Sequence, residues 1–336
     1  MKNLYNAVKA ELAKIDFNAI WPGFAPVDFA LIDGDVVYLD GREIPRSDNL
    51  WGCTVTEFEG KPLAIWTLQG NDKEDAQLLA SNMVHEMFHA FQGAQGMWKE
   101  GGDEFTIMAF PDNLAAYRIK AAEANLLARA YIASDPAAFS TFTSLRQSRR
   151  EMLGNAVLAE FVMEEIEGGA EYAGLCALRQ LSPAKFDKLL AEKHLHTLQN
   201  SGEMLFAIRR FAYFTGAVLL LTLEKLGIEF YHVFADTRPL FDVIAGKDNI
   251  SENFEKYYSV KKGRFDNFLA GETEVVIRNE RFRSFDPMNM WRISDQIFCQ
   301  WGIGFESEIV KGPLILNMEP GSQQQVVSII RRKKIV

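Results

Sequence analysis

The chain has 336 residues, 48% hydrophobic and 24% charged, with a formal charge of −9. This length and balance suit a globular protein of two domains or one elaborated domain. The acidic surplus disfavours a phosphate backbone, so no nucleic-acid partner is expected, and the basic run Arg331-Arg332-Lys333-Lys334 reads as a solvated tail.

Leu4, Val8, Leu12 and Ile15 recur at helical spacing with Lys9, Glu11 and Lys14 between them, which predicts an amphipathic first helix. An export signal needs an uninterrupted apolar stretch and a small-residue cleavage site, and this segment has neither. Cys53, Cys176 and Cys299 stand far apart without a CxxC pair. No disulfide framework is expected, and the usage fits a reducing compartment. The expected location is cytoplasmic.

Residues 27–68 are rich in β-branched and aromatic side chains broken by turn pairs. Asp33-Gly34, between the apolar runs 29–32 and 36–39, predicts a hairpin. Residues 61–68 predict another strand, with Pro62 at its start where a missing N–H is tolerated. Asn71 and Glu74 have capping-box spacing, and Asp72 and Asp75 favour the dipole of a following helix. Leu79, Met83, Met87 and Phe91 form its apolar stripe, and Gly93 and Gly96 mark its end.

Residues 112–226 read as mostly helical, with helices over 113–133, 136–153, 155–181 and 203–226 and a short one from Pro183. The apolar run 211–223 is too short to cross a bilayer, which takes about 20 helical residues. Arg209 and Arg210 precede it and Glu224 and Lys225 follow, so a buried core helix is expected and no membrane partner. Residues 274–277, 309–310, 314–316 and 326–330 read as strands, separated by Pro287, Gly312-Pro313 and Pro320-Gly321. The expected class is α+β in three regions: 1–111, β-rich and ending in a motif helix; 112–270, helical; and 271–336, a small β region. No internal repeat is present, and no segment carries a signature of oligomeric state.

Val84-His85-Glu86-Met87-Phe88-His89 contains HExxH. One helical turn takes about 3.6 residues, so His85 and His89 share a face and can converge on one ion. Zn–N bonds are roughly 2.0–2.1 Å long. Glu86 follows the first ligand and projects beside the ion, where a general base acting on water must stand. The competing reading is a helix with two partly buried histidines.

A catalytic zinc site needs a third protein ligand and one open position. Glu160, Glu164, Glu167 and Glu171 fall four, three and four residues apart, on one helical face. Like charges at this spacing repel, and a nearby cation would relieve them. Gly168 and Gly169 each cost about 1 kcal/mol in a helix interior, which points to close approach of another helix. The competing reading is a solvated acidic face.

HExxH followed by Glu167-Gly168-Gly169-Ala170-Glu171-Tyr172 resembles the gluzincin metallopeptidases, in which two helices supply His, His and Glu to zinc. The resemblance implies a zincin-like core, Zn2+ held by His85, His89 and Glu167, Glu86 as general base, and a peptide or protein substrate. It covers the two motif helices and not the termini. The separation of the ligands, 167 − 89 = 78 residues, exceeds the short spacing of the aminopeptidase branch. An inserted helical pair between Asp112 and Leu153 accounts for it and leaves the subfamily open.

Related HExxH enzymes carry Tyr-x-x-Gly on a later helix, and Tyr213 with Gly216 is similar, which nominates Tyr213 as the oxyanion donor. A buried tyrosine with an ordinary partner is the alternative; Arg210, as a partner of the acidic residues near Glu167, and Tyr172 are lesser candidates. Strand 63–68 could line a cleft by strand addition or be an ordinary sheet member. His194 and His196 are expected at the surface, and His232 in or near the core. Two rivals complete the reading. A deformylase-like amide hydrolase would take Cys53, in Trp51-Gly52-Cys53-Thr54, as its ligand. An inactive scaffold protein would hold a structural zinc closed by four ligands.

Overall fold

A computed structural model describes residues 1–47, 50–70, 72–73, 75–99, 104–108, 110–235, 240–241, 255–293, 296–318 and 325–333. The chain is α+β and divides into two compact units that alternate along the sequence. The first comprises Met1–Lys99, Glu164–Thr197 and Tyr213–Val243; the second comprises Glu100–Met163, Leu198–Ala212 and Ile244–Val336.

The first unit opens with α1 (Lys2–Leu12), whose Tyr5, Val8 and Leu12 are buried, and a single turn, α2 (Phe17–Ile20). Then come β1 (Asp28–Asp33), β2 (Val36–Leu39), β3 (Arg42–Pro45), β4 (Cys53–Phe58) and β5 (Lys61–Thr67). The sheet order is β3-β2-β1-β5-β4, with β1 and β5 parallel and the other pairs antiparallel. Asp33 pairs with Val36, so the hairpin loop is Gly34-Asp35, and Gly34 takes the φ of 61° that this turn demands. Strand β5 is paired on both sides, so of its two expected roles it takes ordinary sheet membership and not strand addition; among the described residues the sheet edge beside it is β4. One sheet face buries Ala30, Ile32, Val37, Leu39, Leu63 and Ile65.

Helix α3 (Ala76–Ala94) follows the sheet. The Asn71/Glu74 capping box lies outside the described residues. The observed cap is Asp75, whose carboxylate accepts from the N–H groups of Gln77 (3.0 Å) and Leu78 (3.1 Å). Asp72 instead holds the preceding turn, accepting from Gln69 N and Trp66 Nε1. The stripe Leu79, Met83 and Met87 is buried as its spacing requires.

The helical middle comprises α4 (Glu104–Met108), α5 (Leu114–Ala133), α6 (Pro136–Leu153), α7 (Leu158–Leu181), α8 (Pro183–Leu189), α9 (His196–Gln199) and α10 (Ile208–Leu226). Asn113 caps α5, and Asp135 caps α6 with Pro136 in its first turn. Gly154, at φ 60°, ends α6, and a 3-10 turn precedes α7, which therefore starts later than expected. Ala207, non-helical at ψ 79°, splits the expected 203–226 helix into a 3-10 turn and α10. A π-helical turn, Leu190–Leu195, joins α8 to α9.

In the second unit α5, α6 and the start of α7 share a buried ionic cluster. The Arg149 guanidinium reaches Glu123 (2.8 Å) and Glu160 (2.7 Å), and Lys120 lies 2.9 Å from Glu160. Removing one partner of such a group strands the others without water, which typically costs about 3–5 kcal/mol. Glu160 thus serves the packing of this unit.

Helix α11 (Glu255–Leu269) falls inside the 112–270 region expected to be helical, although the sequence does not delimit it; Phe265 and Phe268 pack against Phe298 and Ile315, and Lys261 pairs with Asp112 at 2.6 Å. The C-terminal strands are β6 (Thr273–Phe285), β7 (Met290–Ile293), β8 (Gln296–Cys299), β9 (Gly302–Phe305), β10 (Ile309–Lys311), β11 (Leu314–Met318) and β12 (Gln325–Arg332). They form a seven-stranded sheet of order β10-β9-β6-β12-β11-β8-β7, antiparallel throughout. It is larger than the small region expected. Among the described residues no helix is long and apolar enough to cross a membrane.

Candidate metal centre

His85 and His89 lie one turn apart on α3, and Glu167 faces them from α7. One ligand atom of each falls within 4.8 Å of those of the other two. His89 Nε2 is 3.3 Å from the Glu167 carboxylate and His85 Nε2 is 3.7 Å from it. Two donors bound tetrahedrally at the usual zinc distances stand about 3.3 Å apart, so the spacing fits one small cation. His85 and Glu167 are buried.

The helices come this close because glycines stand where they meet. Ser81 Oγ donates to the Gly174 carbonyl at 2.9 Å, joining α3 to α7. On its other side α7 meets α10, where a Cβ on Gly216 would fall 2.8 Å from the Gly168 Cα. The expected close approach at the glycine pair is therefore present.

The surrounding hydrogen bonds fix which nitrogen of each ring faces the site. Gln92 Nε2 donates to the carbonyls of Glu165 (3.1 Å) and Ile166 (3.0 Å), so its Oε1 is the acceptor for His89 Nδ1 at 2.9 Å. His85 Nδ1 donates to Glu171 at 3.2 Å. Both rings hold their Nδ1 protons outward and turn Nε2 toward Glu167, the arrangement that metal-ligating histidines adopt. The other Glu171 oxygen accepts from His194 Nε2 at 2.7 Å, and His194 Nδ1 lies 3.3 Å from the Leu189 carbonyl.

Charges in the site are strongly coupled. Burial alone would lower the His85 pKa, but the Glu167 and Glu171 carboxylates raise it to about 10. Burial would raise Glu167, and the two imidazoles outweigh it, holding that carboxyl well below the usual range. Glu171 is likewise held low against burial, by His194 and then His85. Glu86 is 5% exposed, and burial raises its pKa, an effect partly offset by His85 and His89.

Tyr213 is half-buried, its ring stacked on that of His85 with centroids 5.5 Å apart and planes 9° apart. Tyr172 is instead buried against Trp21 and Phe230, and burial pushes its hydroxyl pKa far up, so it belongs to the core. Arg210 is exposed. Cys53, on the edge strand β4, is exposed, directs its thiol to the Thr67 carbonyl, and lies outside the convergent donor group.

The sequence reading of an acidic face was correct in position and incomplete in role. Glu160, Glu164 and Glu167 are buried and Glu171 nearly so, rather than solvated. His194 was expected at the surface; it is fully buried, because Glu171 supplies the acidic neighbour that local sequence did not reveal. His196 is exposed as expected, and His232 is exposed rather than in the core. Gln92 was missed altogether. Its only signal was its position, three residues after His89 and hence on nearly the same helical face. Comparison with protein-family models, curated proteins and solved structures finds no match.

Proposed function

We propose that the protein is a zinc-dependent hydrolase that cleaves peptide bonds, with His85, His89 and Glu167 as ligands and Glu86 as general base. The observation that carries the reading is the convergence of two Nε2 atoms and one carboxylate at tetrahedral spacing, with both imidazole tautomers fixed from behind. Two nitrogens and an oxygen leave one tetrahedral position open, as catalytic rather than structural zinc sites do. Peptide as substrate rests on the likeness of HExxH and the segment 167–172 to the gluzincins, and a zincin-like core is part of the same proposal.

A bound zinc would supply Lewis-acid polarisation of the attacking water and the scissile carbonyl. Glu86 accepts the proton of that water and passes it to the leaving amine. Burial suits it to this, since a carboxyl with raised proton affinity is a stronger base than a solvated one. Tyr213, stacked on His85, is assigned the donor that stabilises the oxyanion.

A deformylase-like reading needs Cys53 among the donors, and a structural-zinc reading needs a fourth ligand. Among the described residues the donor group holds three members, and Cys53 is not one. Turnover of a fluorogenic peptide library, with and without a chelator, tests the proposal. Cleavage that stops on chelation and returns with zinc is expected, and a zinc-loaded protein without cleavage contradicts it.

A further inference from the structure

Gln92 lies one turn beyond His89 on α3 and is 1% exposed. A glutamine amide offers two N–H donors and a carbonyl acceptor, and this one uses all three. Its Nε2 donates to the carbonyls of Glu165 (3.1 Å) and Ile166 (3.0 Å), the two residues before Glu167, while its Oε1 receives His89 Nδ1–H at 2.9 Å. One side chain thus bridges a histidine on α3 to the backbone that carries the carboxylate on α7. Glutamate has no N–H for the two carbonyls, asparagine is a methylene too short, and methionine makes none of the three bonds.

Helix α7 is shaped to receive this amide. A Cβ on Gly169 would stand 3.2 Å from Gln92 Nε2, closer than carbon and nitrogen normally pack. A residue that weakens a helix is kept where the bridge needs room.

We infer that Gln92 is a positioning residue: it fixes the tautomer of His89 and the 3.3 Å spacing between His89 Nε2 and Glu167, and so governs how tightly the site holds its cation. The inference rests on the metal-site reading proposed above. Gln92 acts through His89 and the α7 backbone and takes no part in proton transfer.

The test uses Gln92→Met, which keeps length and removes all three bonds, and Gly169→Ala, which crowds the amide while improving helix propensity. Zinc affinity is measured by competition with a chromophoric chelator, coordination geometry by the absorption bands of the cobalt-loaded protein, and stability by thermal unfolding without metal. Gln92→Met is expected to bind zinc about 10–100-fold more weakly, the usual loss on removing a hydrogen-bond partner of a ligand, with altered cobalt bands. Gly169→Ala is expected to weaken zinc binding without lowering the unfolding temperature, a split that general loss of packing does not produce, and it decides the matter should the methionine variant not fold. A folded variant that binds zinc within about twofold of wild type, with unchanged cobalt bands, overturns the inference. Wild type and Glu167→Ala are run alongside. Equal, negligible zinc binding by both defeats the metal reading and Gln92 with it, whereas tight wild-type binding shared by the Gln92 and Gly169 variants defeats the role of Gln92 alone.

Discussion

Gly168 of α7 and Gly216 of α10 touch backbone to backbone: a Cβ on Gly168 would stand 2.8 Å from the Gly216 carbonyl carbon. This contact seats Glu167 and Tyr213, each close in sequence to one of the glycines. Gly216→Ala is expected to destabilise by about 1–3 kcal/mol through overpacking, against about 1 kcal/mol gained in helix propensity. Zinc affinity should fall as well, because separating the helices moves the carboxylate. Denaturant unfolding and chelator competition measure the two effects.

Glu86 is assigned to proton transfer and not to ligation. Glu86→Gln should therefore keep its metal, as read by elemental analysis, and lose about 10²–10⁴-fold in turnover. Unchanged turnover would remove Glu86 from the mechanism.

Metal uptake should release a proton. In the metal-free protein His85 stays protonated up to a pKa of about 10, whereas a ligand must be the neutral imidazole. At neutral pH binding must therefore displace that proton, and affinity should climb as pH rises toward about 10. Calorimetric titration with zinc in buffers of different ionisation enthalpy counts the protons released. An uptake heat independent of buffer would contradict the proposed coupling.

The start of the motif helix is sensitive to acid. Burial raises the Asp75 carboxyl, but Lys185, 2.6 Å away, and the N–H groups of Leu78 and Gln77 outweigh it and hold it below its ordinary value. A folded value below the unfolded one stabilises fully above the unfolded pKa of about 4 and loses this contribution as pH falls through the folded value. Asp75→Ala should cost about 1 kcal/mol at neutral pH, and the difference from wild type should shrink in acid. Unfolding both proteins in denaturant at neutral and at acidic pH measures this.

Much of the candidate site was legible because its spacing is local. His85 and His89 one turn apart, the acidic face of α7 and the glycine pair at 168–169 each follow from helical periodicity alone. Gln92 and His194 were not legible, because their roles depend on partners 73 to 74 and 23 residues away that only the tertiary fold brings near. The same division holds for the fold. Pro136 and Asp135 marked the start of α6, whereas β6 runs on past Ile277 through Arg278-Asn279-Glu280-Arg281 with no apolar run to signal a strand: it bulges at Asn279, at φ 47°, and resumes its pairing to β12 at Glu280 and to β9 from Phe282. Strands β8 and β9, four residues each, are too short for periodicity to separate from loop.

Elemental analysis of the purified protein beside Glu167→Ala tests the central claim most directly. Wild type is expected to carry zinc that the variant, with its carboxylate gone from beside two imidazoles, fails to retain. Equal metal content in the two proteins, or none in either after zinc loading, would contradict it.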